Sequence, residues 1–390
     1  MRIGVDAREL CGRATGVGRY LAGLLQEWAR RGPAGAGDFV LYAPEAIALP
    51  LDARKFRTRI VPGRPGTWWE QVTLPREASA DSLDVWFAPG YTAPLRLRVP
   101  IVVAIHDLSF VAHPEWFTIR EGARRRWMVR HTAAAAEAVI TISEFSRREL
   151  VERLDVDARR IHVVPPGVGT GDWGTRGLHS QAVSAGSAVA TRSHAGVNTI
   201  CSPPVPQSPR PHRVLYVGSI FNRRHVVDLI RAFAPIARHR SDVALDIVGD
   251  NRSYPHQDLR ATIAGEGLTD CVQWHEYVSD EELHAMYAHA RAFAFLSEYE
   301  GLGLTPLEAL AARVPPVLLD TPVARESCGA SAVYVPLNDL PTVTRALESA
   351  LFDARLRAAL LAAAPAALAK YSWTRAAADT LTVLQRAAAR

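Results

Sequence analysis

Residues 297–310 read Ser297-Glu298-Tyr299-Glu300-Gly301-Leu302-Gly303-Leu304-Thr305-Pro306-Leu307-Glu308-Ala309-Leu310, directly after an apolar run over Ala292–Leu296. An apolar run, a glycine-bearing turn and a helix entry with Pro306 in its first turn make a strand–loop–helix unit. Gly301 and Gly303 let backbone approach a ligand with no Cβ in the way. The helix start around Leu304 and Thr305 favours an anion such as a phosphate. Glu308, one turn further in, sits badly beside that anion. Its carboxylate can instead accept hydrogen bonds from the vicinal hydroxyls of a ribose. A glycine loop with one capping glutamate is the plainer reading of the same residues.

Working outward, Val214–Val217 is a second β-type run ending in glycine, Gly218, and is followed by Phe221-Asn222-Arg223-Arg224-His225 and a helical stretch over Val226–Arg238. Two adjacent guanidiniums beyond a strand end suit the oxygens of a diphosphate. A solvated basic turn is the alternative. Further β-type runs at Ala244–Val248, Val317–Leu319 and Ala332–Val335 alternate with helical stretches at Glu281–Ala290, Pro306–Ala312 and Pro341–Ala350. The first half does the same, with runs at Ile3–Val5, Phe39–Tyr42, Val85–Ala88, Ile101–Ile105, Val139–Ile142 and Ile161–Val164. Val17, Tyr20, Leu21, Leu24, Leu25 and Trp28 form one helical apolar stripe. Several of the runs are apolar throughout, as strands covered on both faces are. Strand–helix alternation in both halves predicts an α/β protein, with two Rossmann-like parallel-sheet domains facing across a cleft.

The expected domains are 1–168 and 212–370. Between them, 169–211 is rich in Ser, Gly, Pro and Thr and reads as a linker or disordered insertion. A helical segment starts at Asp353 and is expected to break or kink at Pro365. Residues 371–390 form a last helix that can cross back to the first domain.

Composition narrows the function. The chain has 390 residues, 48% of them hydrophobic and 22% charged, which is globular rather than disordered. The formal net charge of +5 allows an anionic partner without choosing one. Four scattered cysteines (Cys11, Cys201, Cys271, Cys328) offer neither a disulfide framework nor a zinc cluster, and fit a reducing cytoplasm. The start of the chain lacks a signal-peptide pattern, and no apolar run reaches the length of a membrane span. The loop Gly16-Val17-Gly18-Arg19 has Leu21 where G-x-G-x-x-G needs its third glycine, which disfavours a dinucleotide-dependent oxidoreductase or epimerase. Basic residues are dispersed rather than grouped, so no nucleic-acid partner is expected. No acidic pair in a metal-binding context stands out, with Asp250 beside Asn251, so no metal is expected.

With these residues in view, the chain resembles the retaining glycosyltransferases of family 4, which have the two-Rossmann GT-B fold. Glu300 and Glu308 have the spacing of that family's E-x7-E motif. The resemblance extends through Gly4-Val5-Asp6-Ala7-Arg8, Trp69-Glu70-Gln71, Ile105-His106-Asp107-Leu108-Ser109, Thr141-Ile142-Ser143-Glu144-Phe145-Ser146, Val164-Pro165-Pro166-Gly167-Val168 and Ser372-Trp373-Thr374. Bacterial mannosyltransferases of polysaccharide assembly are its nearest look-alikes. The resemblance implies transfer of a hexose, mannose favoured, from a nucleotide diphosphate sugar to a saccharide or lipid-linked acceptor, and no cofactor beyond that donor, with GDP-mannose favoured. It implies that His106 and Glu300 are catalytic groups at the transferred sugar. Glu308 would bind the ribose and Arg223 and Arg224 the diphosphate. Gly16 and Gly18 would approach the phosphates from the first domain, while Gly301, Gly303, Leu304 and Thr305 line the donor from the second. A catalytically silent relative is the competing expectation.

This sequence departs from the family at three points. Arg224 stands where lysine is common, Arg313 replaces a glycine, and 169–211 lacks the look of the ordered helix that usually precedes the strand at Val214. Arg313 would either crowd its turn or add a cation to the cleft. One further stretch has two readings. Ile119–His131 holds Arg120, Arg124, Arg125, Arg126 and Arg130 beside Trp127, Met128 and Val129. It is either a peripheral contact for an anionic membrane, which would place the enzyme at the inner face of the cell membrane, or a core-packed helix with a solvated basic side.

Overall fold

The computed structural model describes residues 1–12, 15–30, 38–47, 49–169 and 212–390. The stretch read as a linker therefore lies outside the described residues apart from Gly169, as does Cys201.

Among the described residues there are two parallel sheets. The first contains β1 (Arg2–Asp6), β2 (Asp38–Ala43), β3 (Phe56–Ile60), β4 (Val85–Ala88), β5 (Ile101–Ala104), β6 (Ala138–Thr141) and β7 (Ile161–Val163), in the order β3-β2-β1-β4-β5-β6-β7. The second contains β8 (His212–Val217), β9 (Val243–Val248), β10 (Val272–His275), β11 (Ala290–Phe295), β12 (Pro316–Leu319) and β13 (Val333–Val335), in the order β10-β9-β8-β11-β12-β13. Strands β4, β5, β6, β9 and β12 are buried at every residue, so helices on both sheet faces account for their unbroken apolar runs. The expected pair of Rossmann-like domains is present.

Two strands went unread in the sequence, both at sheet edges. β3 (Phe-Arg-Thr-Arg-Ile) alternates with arginine, and β10 (Val-Gln-Trp-His) buries only Val272. Edge strands need burial on one side only, so their apolar signal is short. Pro365 does not break its helix, which runs over Ala354–Leu368. The proline is solvent-facing in the last turn, and the chain breaks four residues later, before Trp373.

The final helix, Trp373–Ala388, packs on the first domain through Ala376, Ala377, Leu381 and Leu384. Trp28, on the helix Gly16–Arg30, donates its indole N–H to the Ala377 carbonyl at 2.8 Å. Emptying the fully buried Trp28 pocket would cost about 3–5 kcal/mol. Trp373 wedges between Gly23 and Gly167, where added Cβ atoms would lie 2.6 and 2.3 Å from its atoms. The chain thus starts and ends in the same domain, while the strand ends of both sheets meet across the cleft.

Candidate active site

The loop after β11 carries the second domain to the first. Gly301 is glycine because a Cβ there would lie 2.2 Å from the His106 carbonyl oxygen. Its own carbonyl accepts from the Ser143 hydroxyl at 2.5 Å and the Ser146 hydroxyl at 3.3 Å. Gly301 thus meets the first domain's backbone, whereas the sequence pointed to close approach by a ligand. Gly303 has φ +82° and caps the helix Leu304–Ala311 with no side-chain cap bond, leaving Leu304 and Thr305 half-buried at its start. That helix begins two residues before Pro306, so the proline occupies its third position rather than its first.

Two interdomain contacts flank this loop. The Leu108 amide donates to the Tyr299 hydroxyl at 3.2 Å, and Tyr299 donates to Glu149 at 3.1 Å. The Glu326 carboxylate accepts from the Glu144 and Phe145 amides at 2.7 and 2.8 Å, so one domain caps a helix of the other.

Arg224 and Glu300 come together. Arg224 Nε donates to Glu300 Oε1 at 2.8 Å, and Ser297 donates to the same oxygen at 2.8 Å. Arg224 also donates to the Ser219 carbonyl at 2.8 Å and lies 5.0 Å over the Phe295 ring. The adjacent carboxylate holds its pKa above the usual arginine value against the opposing effect of burial. Arg224 is fixed in place.

Arg223 differs. Its guanidinium lies 4.2 Å over Phe221 and 5.3 Å over Trp116 of the first domain. Its Nε is buried with no hydrogen-bond partner, and burial pushes its pKa down. It lines an interdomain cavity of about 490 Å³ together with Tyr91, Asp107, Trp116, Arg125 and Tyr254. A buried guanidinium N–H with no partner is chemically suited to an anion.

Glu308 is half-buried and accepts from the Tyr287 hydroxyl at 3.2 Å. Burial pushes its carboxyl up to about 7, and Arg19 opposes that rise from across the cleft. Arg19 and Tyr287 went unread as site residues. Arg19 stands in the glycine loop that the sequence flagged, but nothing in the sequence paired it with a glutamate in the other domain.

The first-domain residues divide. Gly16 is exposed at the start of the helix Gly16–Arg30, with open space where a Cβ would go. Gly18 is buried, and a Cβ there would lie 2.3 Å from the Glu9 carbonyl oxygen, so its lack of a side chain serves packing inside its own domain. His106 is buried just beyond β5. Its Nε2 donates to the Pro89 carbonyl at 2.7 Å, and its ring meets Tyr20 edge-on at 4.8 Å. Burial lowers its pKa, which leaves a neutral ring whose Nδ1 is the acceptor.

A second cluster explains two of the sequence fragments. Arg8 Nη2 reaches Asp6 at 2.5 Å and also Glu70, and Thr92 donates to Glu70 at 2.6 Å. Asp6 and Glu70 are buried, and burial raises the Asp6 pKa although Arg8 pulls it down. Asp6, Arg8 and Thr92 line a cavity of about 230 Å³ together with Arg124 and Arg125.

Arg313 is exposed with φ +63°, a left-handed turn that glycine adopts without penalty. It neither crowds the turn nor enters the cleft. On the basic helix Ile119–Ala135, Met128 and Val129 are core, whereas Trp127 is 54% exposed. Each reading of that helix accounts for part of it.

Two parallel sheets, a glycine loop bridging them and cationic and acidic groups at the strand ends define a two-domain transferase of the GT-B type. Family models agree. "Glycosyltransferase Family 4" matches residues 14–171 and "Glycosyl transferases group 1" matches residues 203–366. Together they cover most of the chain, which belongs to this glycosyltransferase family. An alpha-D-kanosaminyltransferase of Streptomyces kanamyceticus is 29% identical over 295 residues, 74% of this chain and 71% of the relative. The O-antigen chain mannosyltransferase B of Escherichia coli is 23% identical, covering 76% and 73%. Among solved structures, WaaG, a glycosyltransferase involved in lipopolysaccharide biosynthesis, superposes with TM-score 0.69 at 16% identity over 98% of this chain and 99% of that one. Anabaena HepE in complex with UDP and glucose gives 0.70 at 16% identity over 99% and 100%.

Proposed function

We propose that this glycosyltransferase moves a hexose, mannose favoured, from a nucleotide diphosphate sugar to a hydroxyl of a saccharide or lipid-linked acceptor, with retention at the anomeric carbon. The observation carrying this reading is Arg223, whose buried Nε has no hydrogen-bond partner in the cleft, beside an Arg224 already fixed by Glu300. Loss of the diphosphate leaving group is the barrier, and fixed positive groups aimed at its developing charge lower that barrier without reorganising. Arg223, Arg224 and the helix start at Leu304 and Thr305 supply them, so no metal is invoked. Glu308 takes the ribose hydroxyls opposite Arg19. Glu300 faces the transferred sugar and keeps Arg224 aimed, and His106 contributes from the floor of the first domain. The acceptor attacks on the face the diphosphate leaves, and a phosphate oxygen takes its proton.

Support for GDP-mannose comes from two relatives. Besides the O-antigen mannosyltransferase, a GDP-mannose:cellobiosyl-diphosphopolyprenol alpha-mannosyltransferase of Xanthomonas oryzae is 31% identical over 109 residues, 28% of this chain and 29% of its own length. A nucleotide-sugar panel read by thermal shift, followed by NMR of the product anomer, tests the donor and the stereochemistry. GDP-mannose should give the largest rise and the product should be the α-mannoside. No response to any nucleotide sugar, or an inverted product, contradicts the proposal.

A membrane-surface location, on the cytoplasmic side, goes with the lipid-linked acceptor. Among the described residues no helix is long and apolar enough to cross a membrane. Trp68, Ile119 and Trp127 are exposed at 75%, 90% and 54%, and Arg124 of the basic helix bonds Thr67, the neighbour of Trp68, at 3.0 Å. Exposed aromatics and Ile119 among Arg120, Arg124 and Arg130 suit an anionic lipid surface.

A further inference from the structure

His225 has no part in the chemistry proposed above, yet it sits at the junction of the donor-binding elements. It follows Arg224 directly and has φ +49°, a left-handed backbone unusual for a non-glycine residue, immediately before the helix Val226–His239. Both ring nitrogens are occupied by carboxylates. Nδ1 lies 2.9 Å from Asp228 Oδ2 in the first turn of that helix, and Nε2 lies 2.6 Å from Glu298 Oε1 in the loop after β11. The Glu298 amide donates to the Arg223 carbonyl at 2.9 Å, so the arginine turn and the glycine loop are tied by both backbone and side chain.

We propose that His225, as an imidazolium shared between Asp228 and Glu298, is a positioning residue that clamps the Arg223–Arg224 turn to the Ser297–Gly303 loop and makes donor affinity depend on pH. The inference rests on the reading that this arginine pair holds the donor diphosphate.

Only the doubly protonated ring can donate to both carboxylates, since neutral imidazole has one N–H. Other charges near the cluster are Arg231, 3.6 Å from Asp228, and the Arg224–Glu300 pair on the other side of the turn. The two carboxylates raise the His225 pKa against the lowering effect of burial. The raised value fixes the sign. The clamp is complete below the ordinary histidine pKa and is lost as pH rises through the higher folded value. Glu298 then loses its N–H donor or Asp228 does, and the turn carrying Arg223 loosens on one side.

The test compares wild type with His225→Asn, which tolerates the left-handed backbone but cannot carry the charge. GDP affinity is measured by calorimetry across pH 6–9, and the wild-type to variant ratio at each pH removes the titration of the nucleotide itself. The ratio should be about fivefold at pH 6 and fall toward one above the His225 pKa. A ratio independent of pH would overturn the clamp, even if the variant binds more weakly throughout. Arg224→Gln is the control on the underlying reading. If it leaves GDP affinity unchanged at every pH, the donor assignment itself fails, whatever His225 does. Equal melting temperatures for wild type and His225→Asn at pH 8 confirm that the variant is folded.

Discussion

Arg8 and Arg223 stand in corresponding places, each beyond an interior strand that is the first of its sheet in chain order, β1 for the first and β8 for the second. Arg8 is held by two buried carboxylates, Asp6 and Glu70. Arg223 has two aromatic faces, no carboxylate in ion-pair contact among the described residues, and a buried donor without a partner. The same side chain therefore answers two needs. A guanidinium whose charge is matched inside the protein serves structure, and the proposed donor site rests on the one left without a carboxylate partner in a cavity. Arg224 lies between them, since its partner Glu300 belongs to the same site and fixes its direction.

The contrast is tested most forcefully by Arg8→Ala, which strands two buried carboxylates and should cost about 3–5 kcal/mol in urea unfolding. Arg223→Ala should cost little stability by the same measurement, and equal losses would erase the distinction. Next comes the basic helix. Replacing Arg120, Arg124 and Arg130 with alanine should remove about 1 kcal/mol of anionic-liposome binding per cation. Binding that is equal on neutral vesicles would identify this face as plainly solvated.

Glu308→Gln should weaken nucleotide affinity by about 1–3 kcal/mol, as loss of a charge-assisted hydrogen bond does. It should also steady the empty protein. The wild-type carboxyl is raised to about 7 by burial, so between the ordinary carboxylate range and that value the folded state binds the extra proton. Wild-type stability therefore falls relative to the variant as pH rises through this window. Melting curves at pH 5 and pH 8 check it, and a gap that stays constant would remove the burial argument. The smallest effect belongs to Arg313→Gly. Relief of the left-handed backbone should stabilise the turn by about 1 kcal/mol in the same unfolding assay, and a loss of stability would contradict the strain assigned to φ +63°.

Central strands were legible in the sequence because burial on both faces left unbroken apolar runs such as Val85–Ala88. The edge strands β3 and β10 were not, since water on one side permits Arg57, Arg59 and Gln273. The candidate site was legible where one segment carries it, since Glu300, Gly303 and Glu308 gather around a single helix start. It was illegible wherever the partner is remote in sequence. Nothing local to Gly301 announces the His106 backbone, and nothing in the glycine loop aims Arg19 at Glu308. Arg223 and Arg224 read alike as sequence, and only packing separates the fixed cation from the unpaired one.

The most direct test of that separation is a calorimetric titration of GDP into the wild-type enzyme and Arg223→Gln, both in EDTA. The unmatched guanidinium predicts that wild type binds fully without a divalent metal and that the variant binds about tenfold or more weakly. Wild-type binding that appears only when Mg²⁺ or Mn²⁺ is restored, or an Arg223→Gln affinity equal to wild type, would contradict it.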